Sequence, residues 1–476
     1  MSTHLHRRRF LQAATLGSVA GLPRDGLAAQ SAPKLIHDIS RLNPVPVADE
    51  IIPRSTEDVR QALRSWHGRV CIGGGRYSMG GQIAASHSLH LDMRAMSRVV
   101  FFKPKLRIIR VQAGMTWRDI QDVIDPHDLS IKIMQSYSNF TVGGSVSVNC
   151  HGRYVGQGPV AHSVRALQMV MANGDVLELS REHHADLFGA VFGSYGGLGV
   201  LTEVELDLDV NTRIEKVVQD ISLEAYPDFF LGQVHTDPRI VFHNADLRPT
   251  ALNTPRAISW MVTGQALSQP ERLVPRHIDY SLEKNTIWAI TELPGGHHLR
   301  QQVIEPLIGT KNAVVWRNHE ASLDAASLEP RTRAISTYLL QEYFIPVAKF
   351  LPFVHRMTKI LEQHQVHFLN ISIRHSPPDR VSLLKWAPVE VFSFVLYYKQ
   401  RSHNRASREA RVWTRLLIEA ALVCGGRYYL PYRLDATQAQ FERAYPEARA
   451  FTTLKKQFDP AGRFSNQLWD TYLPTV

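Results

Sequence analysis

Apolar and polar positions in this chain repeat with two periods, and the switches between them mark out its elements. Val45-Pro46-Val47 and Ile51-Ile52-Pro53 come first. Ser55-Thr56-Glu57-Asp58-Val59 then reads as a helix start: Ser55 caps it, and Glu57 and Asp58 favour the positive helix N-terminus. Val59, Leu63 and Trp66 share one helical face, and Val70-Cys71-Ile72 is a short buried strand running into Gly73-Gly74-Gly75. Residues 99–102 and 108–111 are strands about a turn at Pro104. Residues 116–124 form a helix with Trp117, Ile120 and Ile124 inward. Residues 164–171 and 176–179 make a hairpin, because Asn173-Gly174 supplies the positive φ of a tight turn. Residues 198–210 are another long strand.

Past residue 210 the texture changes. Long apolar strands are expected at 258–262, 313–316, 368–373 and 391–397. Helices are expected to start at 338–342 and to cover 350–363 and 407–423. Gly425-Gly426, Pro431, Pro446, Asp459-Pro460 and Gly462 then restore compact punctuation to the tail.

The 476 residues, 44% hydrophobic, exceed one ordinary domain and imply two or three packed units. The formal charge is +10. Arg7, Arg8, Arg9 and Arg24 against Asp25 account for +3 of it, which leaves +7 for the remainder. No later run of five basic residues occurs, so nucleic acid is not expected as a partner. Cys71, Cys150 and Cys424 are far apart and odd in number, which implies neither zinc nor a disulfide framework; no metal is expected. Arg7-Arg8-Arg9-Phe10-Leu11-Gln12, a mildly apolar stretch to Leu22 and the small residues near Ala28-Ala29 read as a twin-arginine signal peptide over 1–29. A periplasmic or secreted protein is therefore expected, with no integral membrane segment after signal removal.

The glycines carry the chemistry. Gly73, Gly74, Gly75, Gly80 and Gly81 fall within nine residues directly after a strand, interleaved with Arg76, Tyr77, Ser78 and Met79 and followed by Gln82. Glycine permits positive φ and leaves backbone N–H groups free to converge on one anion, and a pyrophosphate is the natural guest. The spacing is neither a Rossmann nor a Walker pattern. A second loop, Thr141-Val142-Gly143-Gly144-Ser145, leads to Asn149-Cys150-His151-Gly152-Arg153, and Gly196-Gly197-Leu198-Gly199-Val200 enters a strand. Two loops with free donors would grip the halves of one dinucleotide.

In this order, with Asp186-Leu187-Phe188 between, the set resembles vanillyl-alcohol-oxidase-type flavoproteins with a PCMH-type FAD-binding domain. The tail, Gly426-Arg427-Tyr428-Tyr429-Leu430-Pro431-Tyr432 through Phe464-Ser465-Asn466, is similar to that of aldonolactone and alditol oxidases and of decaprenylphosphoryl-ribose oxidase. The resemblance implies an α+β fold: a two-subdomain FAD-binding domain over 45–210, a mixed antiparallel-sheet substrate (cap) domain over 211–425, and a segment over 426–476 returning to the flavin. It implies that residues 73–82 cradle the FAD pyrophosphate and that Thr141 to Gly144 contact flavin and phosphates. His151 to Arg153 would sit beside the isoalloxazine, Gly199 and Val200 by the adenine, and Tyr429 against the flavin. Where many relatives carry a flavin-linked histidine, this chain has Arg76, which is no nucleophile but is able to pair with phosphate. Noncovalent FAD is therefore expected, with Cys150 and His151 as the spare attachment points.

The implied activity is oxidation of a CH–OH group on a sugar-, polyol- or lactone-like small molecule by hydride transfer to flavin N5. Electrons would leave to oxygen, a quinone or a cytochrome. The alternatives are a flavin-dependent C=C reductase and a non-catalytic flavin-binding accessory protein. His151 is the first candidate base, or it only hydrogen-bonds the cofactor. Tyr432 stands where the phosphoryl-ribose oxidase has a lysine, and is a donor, or a base if its pKa is lowered. Arg374 resembles a substrate-contacting arginine of polyol oxidases, although the acid expected two residues earlier is Ser372. Glu342, Tyr398 and Lys399 lie in apolar stretches that fit a role and packing equally.

Overall fold

Three short parallel strands end at the glycine loop in the computed structural model, which describes residues 34–293, 312–329 and 331–473. Leu89–Asp92 runs between Asp49–Ile51 and Val70–Gly73. The helix Thr56–Ser65 starts at the expected cap: Ser55 accepts from the Asp58 amide, and Asp58 completes the reciprocal capping box. A six-stranded antiparallel sheet lies beside it, in the order Val176–Ser180, Val164–Val170, Val200–Val210, Ile108–Gln112, Val99–Lys103. Leu129–Ile131 pairs with the far half of Val200–Val210. The hairpin and the helix Trp117–Ile124 are as expected, and Gly174 takes φ 86° in the turn.

The remainder is dominated by an eight-stranded sheet. Its order is Val314–Trp316, Arg213–Asp220, Ala251–Val262, Ile240–Arg248, Phe368–Ser376, Val391–Arg401, Ser336–Pro346 and Arg427–Tyr428. The helices Phe350–Gln363 and Asn404–Val423 pack together and lie against Ser336–Pro346. The whole is an α+β architecture. No helix among the described residues is long and apolar enough to cross a membrane. The expected signal peptide over 1–29 lies outside the described residues.

Two expectations are corrected. The helix start at 338–342 is strand, inside Ser336–Pro346. That strand is covered by helices on one face and by the partners of a cavity on the other, so it reads as a continuous apolar run. Periodicity does not separate such a run from a buried helix. The Thr141–Ser145 loop is instead the start of a helix, Val142–Ser147. Its first amides are already used: Val142 donates to Met115 O at 2.9 Å and Gly143 to Ala113 O at 2.8 Å. A Cβ on Gly143 would lie 2.7 Å from the Ala113 Cβ, so this glycine serves close packing and is not a free donor.

The tail closes the glycine region. Lys455 Nζ donates to Gly197 O at 2.7 Å and Phe464 O at 2.6 Å. Trp469 is 1% exposed, stacks on Phe451 at 4.9 Å and donates to Ser194 O at 2.7 Å. Trp469→Ala is expected to lower the unfolding free energy by about 3–5 kcal/mol, read as a shifted urea midpoint with an unchanged slope.

Candidate functional site

The two halves of the fold meet at a cavity with about 1760 Å³ of atom-free space, its mouth included. One wall comes from Gly74, Gly75, Arg76, Tyr77, Ser78, Met79 and Gln82, with Thr141, Gly143, Gly144, Cys150, His151 and Gly199. The opposite wall is the face of the eight-stranded sheet that carries Tyr338, Leu340, Glu342, Arg374, Val395 and Tyr397. Tyr429 and Tyr432 reach in from the tail. Of the expected cofactor residues, Gly73, Gly80, Gly81, Val142, Gly152, Arg153 and Val200 are not among the wall residues.

The glycine loop is shaped for an anion. Arg76 adopts φ 62°, and no hydrogen-bond partner among the described residues is found for the amides of Arg76, Tyr77 or Ser78. Consecutive free amides about a left-handed residue form a concave nest of positive potential. A side chain at Gly74 would run into Thr141, with Cβ 2.2 Å from Oγ1. The Arg76 guanidinium is already held by Glu50 at 2.7 Å and Asp92 at 3.0 Å, carboxylates on two of the parallel strands. It braces the loop from behind, where the sequence suggested pairing with phosphate. Gln82 ties the same loop to the tail by donating to Leu430 O and Tyr432 O.

His151 and Glu342 form the polar centre. Nε2 and Oε1 stand 2.6 Å apart, with side chains 4% and 2% exposed. The contact is short but not linear, since Oε1 meets no well-directed donor. An aromatic box of Trp386, Phe344 and Tyr429 surrounds the imidazole, with ring centroids 4.8, 5.5 and 5.9 Å away. The box is itself fixed, as Trp386 donates to Asn149 O at 2.8 Å and Tyr429 OH to Val148 O at 2.9 Å. The His151 ring's other nitrogen, Nδ1, has no partner among the described residues. Burial alone would raise the Glu342 pKa, but the neighbouring His151, then Arg374 and Ser393, hold the carboxyl below the usual carboxylate range.

Three expected roles change. Burial, then the Glu342 charge, push the Tyr432 phenol well up, so Tyr432 is a donor and not a base; it donates to Glu342 Oε2 at 3.4 Å. Arg153 points into an ion pair with Glu320 at 2.8 Å. Cys150 borders the cavity, but burial pushes its thiol up and keeps it protonated. Arg374 does line the cavity, and its Nε finds no hydrogen-bond partner. Sequence reasoning left Glu342 undecided and missed Trp386, Glu50 and Asp92. The one available signal was a lone carboxylate at an alternating position of an apolar strand.

Residues 49–180 match a family model described as "FAD binding domain", and residues 331–472 one described as "D-arabinono-1,4-lactone oxidase". The chain is 24% identical to L-gulonolactone oxidase of Bos taurus, covering 87% of this chain and 92% of that one. It is 34% identical to alditol oxidase of a Streptomyces species over 22% of this chain and 24% of that one. It is 26% identical to decaprenylphosphoryl-beta-D-ribose oxidase of Mycolicibacterium smegmatis over 38% of each.

Burial and then the Arg76 charge push His90, next to the loop's brace, down to about 4. In the unfolded chain a histidine titrates near ~6.5. The contribution of neutral His90 is therefore complete above about pH 6.5 and is lost as pH falls through about 4. Over that window stability is expected to fall by up to about 1.4 kcal/mol per pH unit, and His90→Gln flattens this slope in urea titrations.

Proposed function

The chain is a flavoprotein of the PCMH-type FAD-binding family, and from that premise we propose that it oxidises a CH–OH group of a sugar-, polyol- or lactone-like substrate, with the buried His151–Glu342 pair as proton acceptor. The observation that carries this reading is the 2.6 Å contact between an ionised carboxylate and the imidazole of a cavity-lining histidine whose other nitrogen has no partner among the described residues. FAD fits the residues present: the Arg76–Ser78 amides, for which no partner is found among the described residues, suit a pyrophosphate, and Gly74, Gly75 and Gly144 line the same cavity. When bound, FAD supplies the acceptor for the substrate's hydride.

The protein's own groups do the rest. The Glu342 charge 2.6 Å from Nε2 favours the imidazole proton on that side, which leaves the Nδ1 lone pair to take the proton of the substrate hydroxyl. The carboxylate then balances the imidazolium charge inside a nearly dry wall, where a lone cation would be costly. Arg374 offers an unspent guanidinium to a substrate oxygen, and Tyr432 donates from the tail. The electrons pass to dioxygen, or to a quinone or cytochrome met in the periplasm if the arginine-rich leader directs export.

Anaerobic addition of a sugar, polyol or lactone substrate is expected to bleach the flavin's visible band; a panel that leaves it coloured, while dithionite bleaches it, contradicts the oxidation. Glu342→Gln is expected to slow bleaching by about 10²–10⁴-fold with the flavin content unchanged.

We also infer noncovalent attachment. Arg76 is braced by carboxylates, Cys150 stays a thiol and His151 is engaged by Glu342. Acid precipitation is expected to leave the yellow colour in the supernatant, and a yellow pellet would overturn this.

A further inference from the structure

The cavity has a second polar end, away from the His151–Glu342 pair. Cross-strand neighbours point to the same side of a sheet, so its rungs read outward from the reactive end. Arg374 pairs with Ser393, then Glu342 and Ser372 flank Val395, and then Leu340 and Asn370 flank Tyr397. Tyr338 follows two residues beyond Leu340, about 13 Å along the strand from Glu342 at ~3.3 Å per residue. That is further than one sugar ring reaches. Tyr338, Tyr137 and Arg333 all lie close enough to Tyr397 to act on its phenol electrostatically.

This outer end holds polar groups that the protein leaves unused. Ser136 Oγ and Asn370 Oδ1 are buried and unpartnered, and no partner is found for the Tyr137 phenol among the described residues. Ser136 and Tyr137 line the cavity, as do Glu329 and Arg333, which face each other at 4.0 Å. The Tyr397 and Tyr338 hydroxyls, by contrast, are spent on Leu328 O and Thr291 Oγ1, so those two residues offer ring carbon. Donors (Tyr137, Arg333) and acceptors (Asn370 Oδ1, Glu329) thus stand mixed beside aromatic rings. An alkyl chain would satisfy neither kind, and an anion or a cation only one. A sugar hydroxyl both donates and accepts, and the C–H faces of a pyranose suit the rings. A single sugar held at the reactive end would leave this outer set unsatisfied, and a buried polar group without a partner is costly.

We propose that the cavity takes a carbohydrate of two rings: one held at the His151–Glu342–Arg374 end, where it reacts, and a second seated against Tyr397, with its hydroxyls on Ser136, Tyr137, Asn370 and the Glu329–Arg333 pair. The substrate class is then a disaccharide or longer oligosaccharide, and not a free monosaccharide or alditol. This rests on the reading of the site as a CH–OH oxidase. Its test is binding, so the two fail separately.

The test titrates FAD-loaded protein with matched sets, glucose with cellobiose and maltose, and xylose with xylobiose, with xylitol and sorbitol beside them. Affinity is read from perturbation of the flavin spectrum or, for a ligand that reduces it, from the concentration dependence of anaerobic bleaching. In at least one set the disaccharide is expected to bind about tenfold tighter than its monosaccharide. Ser136→Ala and, separately, Arg333→Gln are expected to bring that ratio towards one. Because the ratio is taken within one protein, a general loss of binding cancels. A ratio near one in every set overturns the proposal, as does a panel in which nothing binds, a ratio that survives both variants, or an alditol that binds as tightly as the disaccharides. If the ratio is large yet no disaccharide bleaches the flavin anaerobically, the outer seat stands and the oxidation reading fails for these sugars.

Discussion

A carboxylate sunk in a wall of aromatic rings is the constraint around which this protein is arranged. Glu342 is 3% exposed and comes from the second-last strand of the large sheet, while its partner His151 comes from the flavin-binding half. A charge so placed is tolerable only with a partner at contact distance and further dipoles near it. His151, Arg374 and Ser393 supply these, and their positions require the two halves to meet in one register. Trp386, Phe344 and Tyr429 fix the imidazole where the sheet delivers the carboxylate. The tail is part of the same device, since Tyr429 closes the box and Tyr432 touches the other carboxylate oxygen.

The second constraint is the absence of side chains at the glycine loop. The amides of residues 76–78, half-buried at the cavity wall, find no partner among the described residues, and an N–H left unpaired away from water is costly. The loop keeps them available by borrowing rigidity from elsewhere. Glu50 and Asp92 hold Arg76 from behind, and Gln82 pins the loop to the tail. Arg76, at the centre of the loop, thus comes with its own pair of acids.

Much of this was legible in the sequence. The cap at Ser55, the Asn173-Gly174 turn and the strand into Gly73 are local signals, set by neighbours in the chain, and they appear where expected. The Ser336–Pro346 strand was not legible, because a strand covered on both faces loses its alternation. That error concealed Glu342: read as helix, residue 342 had no face, and its approach to His151 depends on a register nearly two hundred residues away in the chain. The Thr141–Ser145 segment misled for the opposite reason, since glycines chosen for close packing look the same as glycines chosen for free amides. Tyr432 needed its surroundings, because only burial beside a carboxylate decides that its phenol keeps its proton.

The account stands most directly on the pH dependence of anaerobic flavin reduction at saturating substrate, compared between the unaltered protein and Glu342→Gln. If the imidazole takes the hydroxyl proton with the carboxylate beside it, the variant reduces its flavin more slowly than the unaltered protein at every pH, with a lower plateau at high pH and an equal flavin content. Superimposable profiles with equal plateaus would show that the buried pair does not handle the proton, and would contradict the account.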